Sequence, residues 1–290
     1  HTASQKNVGI FLPSSVAGAL ANLAMSMLNK TAVNLSYTAS EADRNYMIET
    51  AEIQTVLTSR IFLKKLGLDA ETLPGVILME DLAKSVTSGD KRNALLKALF
   101  MPRRKLAHRP RDFEADQTAA ILFSSGSSGR PKGVQLSHHN ILSNLEGALE
   151  MFRVYKDDRL CGILPFFHSF GLSCTLWLPI LAGVGVSYVP NPLEAKSVGE
   201  QIRKDKCSLL FVSPTFLMNY LRRCESDDFK TLRFIIAGAE KLKAELIDKF
   251  EEKFGIRPCE GYGATECSPL IALNVPDADI GGGRQIGTKE

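Results

Sequence analysis

The stretch Ser124–Gly133 carries the strongest chemical signal in the chain. It reads SSGSSGRPKG and directly follows an apolar run, Ala119–Phe123, that is typical of a buried strand. Glycines permit backbone angles closed to other residues, so N–H groups can converge, and hydroxyls and an ammonium add donors. Convergent donors with a positive charge are what a polyphosphate requires. The candidate phosphate ligands are Ser124, Ser125, Gly126, Ser127, Ser128, Gly129 and Lys132.

This stretch has two other interpretations. A Ser/Gly tract is commonly a flexible linker, although a linker is not expected directly behind a buried strand and ahead of Pro131-Lys132-Gly133. A Walker A loop needs G-x-x-x-x-G-K-[ST], whereas Arg130-Pro131 here separates Gly129 from Lys132. The pattern therefore favours a phosphate-binding loop of another kind.

A second candidate site is Gly261-Tyr262-Gly263-Ala264-Thr265-Glu266, predicted as a loop after a short strand. A Tyr held between glycines can lay its ring flat on a purine base. Thr265 offers a hydroxyl to a phosphate oxygen, and Glu266 offers a carboxylate to Mg²⁺, which shares hard oxygen ligands with phosphates. The alternative is a surface turn with a solvated glutamate.

Smaller signals lie in two further segments. Gly238 and Ala239 leave room for a flat ring to approach the backbone after the predicted strand Phe234–Ala237, where open α/β sheets bind ligands. Tight helix packing is the alternative for these two, and Glu240 can instead open the next helix, where a carboxylate favours the dipole. His168 lies among phenylalanines, a setting more typical of a core histidine than of a catalyst, and no G-x-S-x-G elbow supports a hydrolase.

Four segments resemble, in order and rough spacing, the motifs of the adenylate-forming superfamily, which comprises acyl-CoA synthetases, acyl-ACP synthetases, luciferases and peptide-synthetase adenylation domains. They are Ser124–Gly133, Leu164–Gly171, Ala237–Leu242 and Gly261–Glu266. The finer resemblance is to the synthetase half of bifunctional 2-acylglycerophosphoethanolamine acyltransferase/acyl-ACP synthetases. It draws in addition on Ala32–Thr38 and Glu260–Pro269.

The resemblance implies ATP and Mg²⁺ and a reaction in two steps. A fatty carboxylate attacks the α-phosphorus of ATP with loss of pyrophosphate, and the acyl group then passes to the thiol of acyl carrier protein or CoA. By this resemblance residues 125–132 hold the β- and γ-phosphates, and Tyr262 with Gly238–Glu240 holds the adenine. Thr265 and the Mg²⁺ on Glu266 cover the α-phosphate.

The remaining expectations from the resemblance concern one side chain and the domain plan. His168 is placed near the reacting carboxylate as a positioning group. Residues 1–150 form a first α/β subdomain with the phosphate loop, residues 155–273 form a second, and residues 274–290 begin the following β region. The family's ribose-binding Asp, hinge and C-terminal lid with its Lys have no counterpart, so an incomplete domain is expected. Such a piece is weak in catalysis, or is a non-catalytic nucleotide-binding module.

Positioning these motifs requires an α/β fold, because short apolar runs alternate with amphipathic helices. The runs lack polar alternation, as in strands covered on both faces. The predicted strands are Val8–Leu12, Thr55–Thr58, Val76–Met79, Ala119–Phe123, Leu160–Leu164, Gly185–Val189, Leu209–Val212 and Phe234–Ala237. The predicted helices are Val16–Leu28, one from Ser40 to about Thr50, and Lys241–Phe254. Together with the resemblance, the pattern predicts two packed, mostly parallel sheets flanked by helices.

Composition excludes several classes of protein. The chain has 290 residues, 44% hydrophobic, and its 35 Lys and Arg against 32 Asp and Glu give a net charge of +3, which is no nucleic-acid signature. The apolar run Val16–Leu28 is too short for a membrane span. Six cysteines without zinc-ligand spacing predict free thiols in a reducing cytoplasm.

The location of the full-length protein is expected to be the cytoplasm or the cytoplasmic face of the inner membrane, with any membrane contact through parts outside this chain. The basic stretch Arg103–Arg111 is predicted as a solvated loop. Its alternative is a docking site for an acidic partner, such as acyl carrier protein or lipid head groups.

Overall fold

The computed structural model describes residues 5–102, 113–124, 129–152 and 154–274. By its internal contacts the chain divides into two compact units. One comprises His1–Leu12 with Ala17–Ser137, and the other comprises Pro13–Val16 with His138–Glu290. Within the described ranges, each unit is built around a six-stranded sheet.

The first sheet has the spatial order β4-β3-β1-β2-β5-β6, and all neighbours are parallel except the last pair. Its strands are β1 (Asn7–Ile10), β2 (Thr31–Asn34), β3 (Val56–Thr58), β4 (Ile77–Leu78), β5 (Thr118–Ser124) and β6 (Lys132–Ser137). The helices between these strands are α1 (Val16–Met27), α2 (Glu41–Thr50), α3 (Arg60–Leu66), α4 (Met79–Ser85) and α5 (Ser88–Phe100).

The second sheet has the order β12-β11-β10-β9-β7-β8, and only the β11–β12 pair is antiparallel among these described strands. Its strands are β7 (Arg159–Gly162), β8 (Gly185–Tyr188), β9 (Leu209–Val212), β10 (Phe234–Ala237), β11 (Cys259–Gly263) and β12 (Leu270–Leu273). The helices of this unit are α6 (His138–Met151), α7 (Ser169–Gly171), α8 (Leu178–Ala182), α9 (Ala195–Asp205), α10 (Pro214–Arg223) and α11 (Ala244–Phe254). A π-helical segment, Leu172–Trp177, joins α7 to α8.

Strands β9 and β10, inside the second sheet, were predicted most accurately. Every residue of Leu209–Val212 and Phe234–Ala237 is buried, and both strands have the predicted bounds. Helices cover both faces of such strands, so burial leaves no place for a polar alternation. The helix after Ser40 is also confirmed, since the Ser40 side chain accepts a hydrogen bond from the N–H of Asp43 and caps α2.

Several predicted boundaries move, and three of these shifts change how a segment is described. The strand predicted at Val76–Met79 shortens to Ile77–Leu78 because α4 begins at Met79. The helix predicted from Lys241 begins at Ala244, although it ends as predicted before Gly255, whose φ is 71°. Residues 261–263, predicted as loop, belong to strand β11, and the loop begins after them.

Helix α6 belongs by its contacts to the second unit, so the boundary between the units lies near residue 138. Its buried face consists of Ile141, Leu145 and Ala148, and it packs on the π-helical segment and on β12. No helix in the described part of the chain is both long and apolar enough to cross a bilayer.

Candidate functional site

Three of the predicted motifs meet at one edge of the second sheet. Strands β7, β9, β10 and β11 are parallel neighbours, so their carboxyl ends lie together, which is where open α/β sheets bind ligands. The segments that follow β7, β10 and β11 carry the motif residues. We call this group the strand-edge site, consisting of His168, Ser169, Phe170, Gly238, Ala239, Glu240, Gly261, Tyr262, Gly263, Thr265 and Glu266.

Gly238 is buried at the floor of the strand-edge site. A Cβ placed on it would lie 3.1 Å from the carbonyl oxygen of Gly261 and 3.2 Å from the ring of Phe170. Close packing, the alternative given for the small residues in this segment, therefore accounts for Gly238, because the absence of a side chain makes room for the ring of Phe170. Ala239 differs: it is exposed and has a φ of 72°, in the left-handed region that is uncommon outside glycine.

Glu240 does not open a helix, because α11 begins only at Ala244. Its carboxylate Oε2 accepts a hydrogen bond from Thr215 Oγ1 at 2.6 Å. Glu260 fastens the same loop from the other end, since its Oε1 accepts a hydrogen bond from the N–H of Leu242 at 2.9 Å. Sequence reasoning assigned no role to Glu260, because a strand glutamate carries no signal until its partner is known.

Tyr262 presents its ring to solvent, with 66% of the residue exposed. Packing explains the glycines on either side of it. A Cβ on Gly261 would lie 2.9 Å from a methyl carbon of Ile236, and a Cβ on Gly263 would lie 2.2 Å from the carbonyl oxygen of Pro269. The glycines thus hold β11 tightly against its neighbours, while an aromatic face that a purine could stack on stays open.

Thr265 and Glu266 follow in a short 3₁₀ turn, Thr265–Cys267. The hydroxyl of Ser169 donates to Thr265 Oγ1 at 3.3 Å, and Glu266 is exposed. The described ranges contain no group of three or more His, Cys, Asp or Glu that could hold a metal alone. One free carboxylate beside a hydroxyl nevertheless fits Mg²⁺, which commonly takes one or two protein carboxylates and completes its shell with phosphates and water.

His168 precedes α7, and its ring centroid lies 4.5 Å from that of Phe167. The residue keeps access to solvent and is no fully enclosed core histidine. Crowding by neighbouring protein removes water from the imidazole and lowers its pKa below the usual value. A neutral imidazole retains one N–H donor, which suits a group that orients a carboxylate.

The predicted phosphate loop connects β5 and β6 in the first unit. Ser124 and Lys132 are partners in the antiparallel pairing of β5 and β6, so the two ends of the stretch are held in one sheet. Gly129 has a φ of 89°, and both Gly129 and Lys132 are exposed. Ser125, Gly126, Ser127 and Ser128 lie outside the described residues, as do the basic stretch 103–111 and residues 275–290. We call residues 124–132 the phosphate hairpin.

The model of the family described as AMP-binding enzyme matches residues 2–288. The chain belongs to this family. The putative acyl-CoA synthetase YngI of Bacillus subtilis is 30% identical to this AMP-binding chain over 196 residues, covering 66% of the chain and 33% of the relative. The long-chain-fatty-acid–CoA ligase of the same organism is 33% identical over 162 residues, covering 54% and 28%.

Solved structures of other proteins show the same fold. O-succinylbenzoate CoA synthetase from Bacillus subtilis, in complex with AMP, matches with a TM-score of 0.74 at 23% identity, covering 95% of this chain and 65% of that one. ATP-bound MatB from Rhodopseudomonas palustris matches with a TM-score of 0.75 at 23% identity, covering 94% and 52%. The prediction of an adenylate-forming N-terminal domain with two mostly parallel sheets is therefore confirmed. The chain spans about half or less of the length of the curated relatives it matches.

Proposed function

We propose that the protein activates a long-chain fatty acid as an acyl-adenylate, with ATP and Mg²⁺, and transfers the acyl group to a thiol. The observation that carries this proposal is the strand-edge site. It combines an open Tyr262 ring, the exposed residue Ala239 and the oxygens of Thr265 and Glu266 at one sheet edge. A nucleotide needs an aromatic surface for its base and oxygen ligands for its magnesium-bound phosphate, and the site offers both.

ATP is the nucleotide we assign to the site, because the chain also carries the serine-rich sequence of the phosphate hairpin with the exposed Lys132, a combination that suits a polyphosphate. A family relative, the Bacillus o-succinylbenzoate CoA synthetase, has been solved with ATP and a magnesium ion. When bound, Mg²⁺ neutralises phosphate charge, and it would be held by Glu266. The triphosphate and the attacking carboxylate are both negative and repel each other. The chain's own residues therefore have to hold the nucleotide in position for the attack.

For the acceptor we propose acyl carrier protein, and for the biological role phospholipid reacylation in the cytoplasm or at the cytoplasmic face of a membrane. The resemblance to the bifunctional acyltransferase/acyl-ACP synthetases supports this, and six unpaired cysteines agree with a reducing compartment. CoA is the alternative acceptor, favoured by a relative named long-chain-fatty-acid–CoA ligase. A non-catalytic nucleotide-binding module is the alternative for the chain acting alone.

The decisive experiment is fatty-acid-dependent exchange of pyrophosphate into ATP by the full-length protein, across acids of different chain length. We expect exchange that requires Mg²⁺ and is greatest with long chains. Product analysis with acyl carrier protein and with CoA then decides the acceptor. Absence of exchange with every acid, in a protein that binds ATP, would contradict the enzyme and leave the binding module.

A matched pair of variants tests the strand-edge site itself. Tyr262→Ala should weaken AMP binding about tenfold, since stacking on an aromatic ring contributes roughly 1–3 kcal/mol per base. Tyr262→Phe keeps the ring and should bind AMP within about twofold of the wild type. Equal affinity of all three proteins in calorimetry would remove Tyr262 from the adenine site.

A further inference from the structure

One side chain joins the outer strand of the second sheet to a helix. Asn144, on α6, donates from Nδ2 to the carbonyl oxygen of Leu270 at 2.7 Å and accepts from the N–H of Leu270 at Oδ1 at 3.1 Å. A primary amide offers a donor and an acceptor side by side, as a peptide group does. Asn144 therefore replaces a neighbouring strand along the outer edge of β12.

The clamped residue lies directly across from the strand-edge site. In the β11–β12 ladder Leu270 is paired with Gly263, and the N–H of Ala264 donates to the carbonyl oxygen of Pro269 at 2.9 Å. The two strands are closely packed at this point, because even a methyl group on Gly263 would collide with Pro269. A shift of β12 must therefore move β11 at the point where the chain passes from Tyr262 to Thr265.

The turn of the same hairpin is held by other contacts. The hydroxyl of Ser173 donates to the carbonyl oxygen of Ser268 at 2.8 Å, and both residues are buried. The Ser169 hydroxyl reaches Thr265 Oγ1. These bonds fasten the turn to the helical segment 169–177, whereas Asn144 fastens the strand. The strand would keep its pairing with β11 without Asn144, but its outer edge would be held less firmly.

We propose that Asn144 is a positioning residue for nucleotide binding: through β12 it sets the spacing between the Tyr262 ring and the Glu266 carboxylate. The proposal rests on the proposed function, in which those two groups bind adenine and magnesium-bound phosphate. Asn144 acts only through Leu270 and Gly263.

The test uses the full-length protein with Asn144→Ala, Asn144→Asp and, as a control, Ser143→Ala. Ser143 is the exposed neighbour on α6, and its hydroxyl donates to the carbonyl oxygen of His139 in its own helix. Binding of AMP and of Mg·ATP is measured by calorimetry below the unfolding transition, and amide hydrogen exchange is measured over residues 259–273. We expect about tenfold weaker binding and faster exchange at 262–270 in both Asn144 variants, and no change in the control.

Each other outcome has a defined meaning. Lower thermal stability with unchanged affinity and unchanged local exchange would make Asn144 structural only and overturn the proposal. Weaker binding without faster exchange would point to direct contact with the nucleotide and overturn it as well. A wild type that binds no nucleotide would contradict the proposed function instead. Hydrogen exchange alone then tests whether Asn144 holds β12. If Asn144→Ala does not fold, the test uses Asn144→Asp, which has nearly the same shape.

Discussion

The phosphate hairpin and the strand-edge site are built in different ways. In the phosphate hairpin, Gly129, Arg130 and Lys132 are exposed, and the Arg130 guanidinium lies 5.2 Å from the ring of Tyr46. At the strand edge, Gly238 is buried and packing leaves no space for a side chain on Gly263. Charge can be delivered to a polyphosphate by an exposed side chain, whereas a surface for a flat base needs a shape that only core packing maintains.

The largest expected effect comes from adding a methyl group in the packed region. A Cβ on Gly171 would lie 2.0 Å from the carbonyl oxygen of Pro165, so Gly171→Ala should lower the free energy of unfolding by about 3 kcal/mol. Gly129→Ala meets nothing within 4 Å and should cost only the left-handed strain, about 1 kcal/mol. Urea unfolding of both variants checks this, and equal losses would remove the contrast between the two regions.

The second-largest expected effect is a loss of stability of the second unit at low pH. Burial alone would raise the pKa of Asp158, but hydrogen bonds from Arg233, Ser208 and the N–H of Tyr155 hold it below its usual value. A lowered pKa contributes stability above the unfolded value, near 4, that is lost as the pH falls through the folded value. Asp158→Asn should cost about 2 kcal/mol at pH 7, since it breaks a mostly buried pair, and should flatten the loss below pH 4.

The control for this pH dependence is Asp81→Asn, because the ion pair of Asp81 with Arg60 in the first unit is exposed. Its stability curve from pH 7 to pH 2.5 should follow the wild type. An acid loss in Asp158→Asn as steep as in the wild type would show that another carboxylate governs the transition.

Nucleotide binding separates the two regions by ligand. Lys132 is exposed, so Lys132→Ala should leave stability within about 0.5 kcal/mol of the wild type. It should weaken ATP binding about fivefold and leave AMP binding unchanged, because AMP lacks the β- and γ-phosphates. Tyr262→Ala should weaken both ligands equally. Calorimetry with ATP and AMP on both variants would break the assignment if Lys132→Ala affected AMP as much as ATP.

The smallest expected effect concerns a glycine of the second unit that is not tightly packed. Gly147 lies within helix α6 and is exposed, and beyond the backbone of its own helix a Cβ placed on it would meet no atom within 4 Å. Gly147→Ala should therefore raise the free energy of unfolding by about 0.5–1 kcal/mol, since alanine favours a helix interior. A loss of stability would mean that this face of α6 is covered.

Two of the strands that sequence analysis missed, β2 and β6, lack an apolar run for physical reasons. Strand β2 is buried throughout but begins and ends in polar residues. The Thr31 hydroxyl donates to the carbonyl oxygen of Thr118 at 2.9 Å, and the Asn34 and Asn22 amides bond to each other, at 2.8 Å from Asn34. Strand β6 lies at the edge of the described sheet and half of its residues are exposed, so it lacks an apolar run. Apolar patterns detect covered strands, and partners for buried polar groups are invisible until the chain is folded.

The sequence by itself determined the α/β class, the family motifs and the bounds of strands β9 and β10 in the second sheet. Each of these depends on short runs of residues whose types directly limit backbone geometry or burial. Only the tertiary structure decided that Phe170 fills the space above Gly238, that Glu260 holds Leu242, and that Asn144 clamps Leu270, 126 positions away. Contacts at such separations depend on how strands and helices align in space, and composition along the chain does not encode that alignment locally.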